Sequence, residues 1–519
     1  MGGRLRGAAV VVVLAMVAAG CTGAKRPGEG SSVAAGGTGT TTTIAVDAAT
    51  VDPAADPCAA GDVAACPPPA PGDPAAPGAA PTGAAGGPAK GTARPGSGGA
   101  GTAAPAGGAP TGGGTSGGTA EGNAAAPVDA PGDPQLFAGD LNTRGITADS
   151  IRLCGHAALT YGPAFNATAD DFNVYYSAIN DAGGVHGRKI TATYENDDYK
   201  PATARQAAEA CKAKNPFMIL GGIGFDQIPT VRNWAEENKE LYFHHIATVK
   251  GTEGKQYSYT TQPTVERVGK AFGELTAQRF KNKKIGVLYR NSEFWQPGFD
   301  AYKAEAAAKG FTIVQAVGVE QNQANYTQAL IALRNAGAEV VFGWENTLAL
   351  TQMVAQAKAQ GWSPQWIAFP FNLTSQTLGD DAMTPPMVGL ASWPGYSKGD
   401  YSGPFAAYAN DMKEFEAQYA KYRPGTDIGG AAGDLLWLNW VEQKRLVALL
   451  QACGPNCTRN HLVGMLQRGY QATTAPTCPL DFSGGKHDGS GGLVNTMETY
   501  RAPNGKVNWR SPELCKSGF

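Results

Sequence analysis

The sequence predicts an α/β protein of two lobes, each a parallel sheet flanked by helices, preceded by a disordered N-terminal tail. Three observations carry that reading. Short apolar runs alternate with helical periods from about residue 150 onward, the signature of βαβ units. The alternation occurs as two successive series. The 70 glycines and 35 prolines, about a fifth of the 519 residues against roughly 12% usual, are concentrated before residue 135 with Ala, Thr and Ser. That stretch has almost no aromatic side chain before Phe137 and buries too little apolar surface to offset its ordering entropy. A formal charge of −2 and no long basic run argue against a nucleic-acid partner. No apolar run reaches the roughly 18 residues of a membrane span, so a multi-pass membrane protein is excluded.

The first series starts with a strand over 151–156. A helix follows with Phe172, Tyr175, Tyr176 and Ile179 on one face, and it ends at Gly183-Gly184, where glycine takes the left-handed cap conformation. Strands over 189–194, 217–221 and 241–246 alternate with helices from Pro201 and over 227–238. After the link 257–263 the second series begins with a helix whose stripe is Val265, Val268, Phe272 and Leu275. Strands over 285–289, 311–317, 339–342 and 365–368 alternate with helices over 298–309, 326–335 and 347–360. A strand over 387–392 leads to long helices over 405–421 and 430–450 that return to the first lobe. The expected organisation is a signal peptide (1–20), a disordered tether (21–140) and a two-lobe domain (141–519). Lobe 1 takes roughly 150–262 and 393–470, lobe 2 roughly 263–392 and part of 471–519. Ligands of open parallel sheets bind beyond the carboxyl ends of the strands, so the strand-to-helix loops are where a site is expected.

Arg4 and Arg6, the apolar run 8–19 and small residues before Cys21 read as an export signal. Val17-Ala18-Ala19-Gly20-Cys21 resembles a bacterial lipobox, with Ala18 where Leu is usual. The implied lipidation of Cys21 would anchor the chain to the bacterial cell membrane; the alternative is plain secretion. A flexible tether of about 113 residues spans roughly 55–65 Å. Eight cysteines remain, and an even number in an exported chain favours disulfides. Proximity pairs Cys58 with Cys66, Cys453 with Cys457 and Cys478 with Cys515, leaving Cys154 for Cys211, among about a hundred possible connectivities. A competing metal reading rests on Cys453, Cys457 and His461, without a fourth ligand nearby.

Catalytic and cofactor motifs fail. The run 222–227 begins like a dinucleotide fingerprint, but Gln227 stands where the third glycine belongs. There is no phosphate loop, no G-x-S-x-G elbow and no H-E-x-x-H helix. His244-His245 lies in a strand, which sends the rings to opposite faces, one structural and one at the cleft edge. Asp197-Asp198 reads as solvated or capping. No enzyme activity, no cofactor and no metal is expected.

The segment Ile179-Asn180-Asp181-Ala182-Gly183-Gly184-Val185-His186-Gly187-Arg188-Lys189-Ile190, followed by Tyr194-Glu195-Asn196-Asp197-Asp198, resembles the type I periplasmic binding proteins, in their leucine/isoleucine/valine-binding branch. Tyr326-Thr327-Gln328-Ala329-Leu330, leading to Asn335-Ala336-Gly337-Ala338-Glu339-Val340-Val341-Phe342, is similar to a second landmark of that family. The resemblance covers roughly 150–450. It implies two lobes closing on a small molecule, an amino acid or a related amide or amine, and its delivery to the permease of an ABC importer. Tyr161 and Phe165 match the loop after the first strand. Phe225 and Asp226 stand where relatives offer small hydroxyl residues to an amino-acid carboxylate, which Asp226 would repel unless it points away. Thr248 matches the family's Ala-Thr after the fourth strand. In the second lobe Trp295 falls near the aromatic that packs on the ligand, and Trp344-Glu345 follows a strand. Phe371 lies where relatives place a glutamate for the ligand's ammonium, a role left to Glu345 or Asp226. The aromatics point to an apolar, aromatic or cationic ligand. Other readings are a ligand-sensing receptor module of this fold and a secreted hydrolase.

Overall fold

The computed structural model describes residues 125–516, apart from 160–166, 223, 246–247, 321–322, 346, 370–385, 431, 475, 493 and 506. The signal peptide, Cys21, Cys58, Cys66, Tyr161, Phe165 and Phe371 lie outside the described residues.

The lobe 1 sheet comprises β1 (Ser150–Ala157), β2 (Lys189–Asn196), β3 (Met218–Gly221), β4 (Tyr242–His244) and β5 (Ser258–Thr260). Its order is β2-β1-β3-β4-β5, parallel throughout. Helices cover both faces, so the inner strands are apolar on both sides, whereas the edge strand β2 alternates. On one face lie α3 (Pro201–Ala213) and α4 (Ile228–Asn238), with the Cys154–Cys211 disulfide clasping α3 to β1. The link expected at 257–263 contains β5, whose three residues are all buried.

In lobe 2 the strands β6 (Lys284–Arg290), β7 (Thr312–Val319), β8 (Val340–Trp344), β9 (Gln365–Ala368) and β10 (Val388–Ala391) run parallel in the order β10-β9-β8-β6-β7. Beside β10, β13 (Asn495–Arg501) and β14 (Val507–Arg510) extend the sheet antiparallel. Helices α6 (Val265–Phe280) and α7 (Gln296–Lys309) pack closely because Gly269 and Gly273 present no side chain. A Cβ on Gly269 would strike the Gly298 carbonyl, and one on Gly273 the Glu305 side chain.

The chain then returns to lobe 1. Helix α10 (Ala409–Tyr422) and the long α11 (Gly433–Cys453) pack on α2 (Val174–Asp181) through Trp440 against Tyr175 and Phe415. The Tyr419 hydroxyl donates to the Asp171 carbonyl at 2.7 Å. Residues 487–489 run beside β5, with Thr260 N–H donating to the His487 carbonyl and Gly489 N–H to the Thr260 carbonyl, both at 2.8 Å.

Two expectations change here. The tether was drawn to residue 140, yet 125–140 pack on α12 (Arg459–Gln467). Asp129 accepts from Thr458 and Asn460, Asp133 from His461 and Arg468, and Phe137 is 1% exposed. Polar anchoring holds this stretch, which hydropathy does not register. The metal reading of Cys453, Cys457 and His461 also falls, since the two sulfurs bond each other and the imidazole pairs with Asp133. Cys478–Cys515 is the third disulfide among the described residues.

Candidate functional site

The loops after β3, β6 and β8 meet where the carboxyl ends of the two sheets face each other. The loop after β3 is seated from below. Gly224 has φ +130°, and the Gln227 side chain occupies the space a Cβ there would need. Gln227 in turn donates to Asp197 at 3.1 Å. Asp197 also pairs with His156 Nδ1 at 2.8 Å and accepts from Tyr199 N–H at 2.9 Å. Asp197 is wholly buried, so of the solvated or capping roles expected for it the solvated one falls, while its bond to Tyr199 N–H just before α3 is of the capping kind; it also braces the loop.

This seating aims Asp226 of lobe 1 at lobe 2, where Arg290 ends β6. The guanidinium bonds Asp226 through Nη1 and Glu345 through Nη2, and its Nε donates to Glu345 at 2.6 Å. Ser292 donates to the other Asp226 oxygen at 3.0 Å. All three charged side chains are buried: Arg290 1% exposed, Glu345 fully enclosed, Asp226 9%. Burial opposes the charge on Arg290, but Glu345, then Tyr199 and Asp226, outweigh it and hold the guanidinium above its ordinary pKa. Two carboxylates share one cation, leaving one negative charge in excess. An anion brought against these two carboxylates would be repelled unless Asp226 gave way.

Aromatic rings surround this trio. Phe225 lies 5.1 Å from Trp295, 5.6 Å from Phe294 and 5.9 Å from Phe369 between centroids. Trp295 meets Trp344 edge-on at 5.4 Å, and the Trp344 indole donates to the Trp295 carbonyl at 2.8 Å. Arg290 lies over Trp295 at 5.7 Å and over Tyr199 at 5.9 Å, within cation–π range. Among the described residues the buried Trp295 Nε1 has no hydrogen-bond partner.

Of the expected residues, Phe225, Asp226, Trp295, Trp344 and Glu345 come together. Thr248 caps the short α5 (Val249–Thr252), accepting from Gly251 N–H at 2.9 Å. His244 and His245 are both buried, His244 against Tyr242 within lobe 1 and His245 against Phe225 at the cleft edge. Arg290, Phe294, Phe369 and Tyr199 were not singled out by sequence. The signal for Arg290 was a lone cation ending an apolar strand.

A model of the periplasmic binding proteins matches residues 155–506. This chain belongs to the periplasmic binding protein family. Among curated relatives, the binding protein is similar to Leu/Ile/Val-binding protein homolog 3 of Brucella melitensis. The two are 24% identical over 166 residues, 32% of this chain and 45% of the relative. Homolog 8 of Brucella abortus is 23% identical over 220 residues, 39% of this chain and 54% of the relative. The chain thus spans about half the length of these relatives. Among solved structures, the fatty acid ABC transporter substrate-binding protein from Thermomonospora curvata gives a TM-score of 0.57 at 17% identity, covering 72% of this chain and 95% of that one. The branched chain amino acid ABC transporter from Thermus thermophilus with bound valine gives 0.56 at 15%, covering 70% and 97%. The structural likeness and the family match together show the two-lobe type I fold of this periplasmic binding protein. Among the described residues no helix is long and apolar enough to cross a membrane.

Proposed function

We propose that this periplasmic binding protein is a non-enzymatic, extracytoplasmic solute receptor that hands its ligand to an ABC importer, tethered to the membrane through Cys21. The observation that carries the reading is Asp226 from lobe 1 meeting Arg290 and Glu345 from lobe 2 at the strand ends. A ligand bound there touches both lobes, which is what lets binding select a closed arrangement for a transporter to sense. The excess carboxylate, the aromatic walls and the unpaired Trp295 N–H favour a small amine or amide with an apolar body. The names of the relatives support an amino-acid-like ligand.

A thermal-shift screen of amino acids, amides and amines tests this. At least one compound raises the melting temperature by linkage, and Trp295→Phe, which deletes the indole N–H and keeps a ring, weakens that compound about tenfold. A screen in which nothing stabilises the protein, or an unchanged affinity in the variant, counts against the reading.

A further inference from the structure

Five arginines are buried among the described residues: Arg188, Arg232, Arg290, Arg445 and Arg459. Four of them are engaged. Arg188 and Arg459 donate to backbone carbonyls, Arg290 donates to Asp226 and Glu345, and Arg445 donates to Thr477, Glu442 and the Cys478 carbonyl. Arg232, on α4 and 4% exposed, is different. Its Nε and Nη1 are enclosed and meet no acceptor.

Its neighbours place this guanidinium among the strand-end loops. Helix α4 leaves the loop that carries Asp226, and Nη1 lies against α5, where a Cβ on Gly251 would strike it. Glu293, exposed in the loop after β6 of lobe 2, acts on Arg232 through space without bonding it. Glu236, one turn along α4, has both oxygens committed to the Gln256 and Tyr257 N–H groups, at 2.9 and 3.0 Å. Burial holds the guanidinium below its ordinary pKa and outweighs Tyr242, Glu293 and Glu236, yet arginine stays charged at neutral pH. A buried charge without a hydrogen-bonded counter-ion is costly. Among the described residues nothing supplies that counter-ion.

We propose that Arg232 is an anion site that takes the carboxylate of the solute entering between the lobes. The guanidinium fork matches a planar carboxylate, and Glu236 and Glu293 nearby disfavour a dianion such as phosphate. The fork is reached as the lobes part and is enclosed again when they close. This deepens the receptor reading and rests on it for the identity of the solute. An ammonium group goes to Asp226 and Glu345, an apolar body to the rings and a carboxylate to Arg232, which describes an amino acid or a longer aminocarboxylate. The carboxylate thereby avoids the loop after β3, where Asp226 would repel it.

Thermal unfolding of the full chain in sodium acetate tests the site, with acetamide as the neutral isostere and chloride and phosphate as controls at equal ionic strength. Acetate raises the melting temperature of the parent protein by linkage, and the three controls do not. Arg232→Met keeps the stem, deletes the charge and loses the acetate shift. Without acetate it is at least as stable in urea as the parent, because an unpaired buried charge is gone. If it does not fold, Gly251→Ala, whose added methyl displaces Nη1, loses the shift instead. The proposal is overturned if acetate acts no differently from chloride, if phosphate exceeds it, or if the shift survives in the folded variant. It is equally overturned if Arg232→Met and Glu293→Gln lose urea stability alike, which would make Glu293 the counter-ion. Among hits of the solute screen, the amino acid binds about tenfold or more tighter than its amide. A screen without hits beside an intact acetate shift counts against the receptor reading alone, whereas an amino acid and its amide binding alike count against this site alone.

Discussion

Arg290 holds two buried carboxylates at once, one from each lobe. Replacing it with Met leaves Asp226 and Glu345 enclosed without a counter-charge, so one must take up a proton. Removing one partner of a buried pair typically costs about 3–5 kcal/mol, and Arg290→Met is expected to lose that much in urea denaturation. Adding Glu345→Gln to it recovers part of the loss, because a neutral amide tolerates the site better. A loss below about 1 kcal/mol for the single variant would mean that the trio is solvated. At this scale the sequence was legible where position along a strand decides the outcome. Trp344 closes a strand and Asp226, Trp295 and Glu345 follow strand ends, and strand ends face the cleft. Arg290 was not, because a charge closing an apolar strand reads as the chain leaving for solvent, and its partners come from three separate loops. The burial of Asp197 was hidden for the same reason: it depends on His156 and Gln227, both remote in sequence.

Elements with apolar periodicity were placed within a few residues of their observed bounds, since burial of both sheet faces writes itself into continuous apolar runs. Those missed are held by polar or covalent contacts. Strand β13 buries Asn495, Thr496 and Thr499, which hydropathy reads as loop, and 125–140 are anchored by Asp129 and Asp133. The disulfides show how unequal such ties are. Cys154–Cys211 closes a separation of 57 residues and Cys453–Cys457 one of 4. Loop-closure entropy makes the first worth about 4 kcal/mol and the second about 2 kcal/mol. Paired alanine substitutions at 154 and 211 are therefore expected to lower urea stability about twice as much as those at 453 and 457. Equal losses would show that helix packing, not chain closure, sets the contribution of the first bridge.

For the molecule as a whole, the contact between Asp226 and Arg290 ties the lobes together. A solute that binds between them has to replace this contact or build on it, and it shifts the lobe arrangement only by its differential affinity for the closed state. Asp226→Arg turns the tie into a repulsion while leaving the Arg290–Glu345 pair within lobe 2. In ligand-free protein this variant is expected to shift the arrangement toward separated lobes, seen as a larger radius of gyration in small-angle scattering. Asp226→Ala should shift it less, because loss of attraction is weaker than introduced repulsion. Raising salt should reduce the difference between the two variants, since separated charges are screened once water enters the cleft. If Asp226→Arg scatters like the parent protein, the lobes are held by the packing of Phe225 against Phe294, Trp295 and Phe369, and the charge trio belongs to ligand recognition alone.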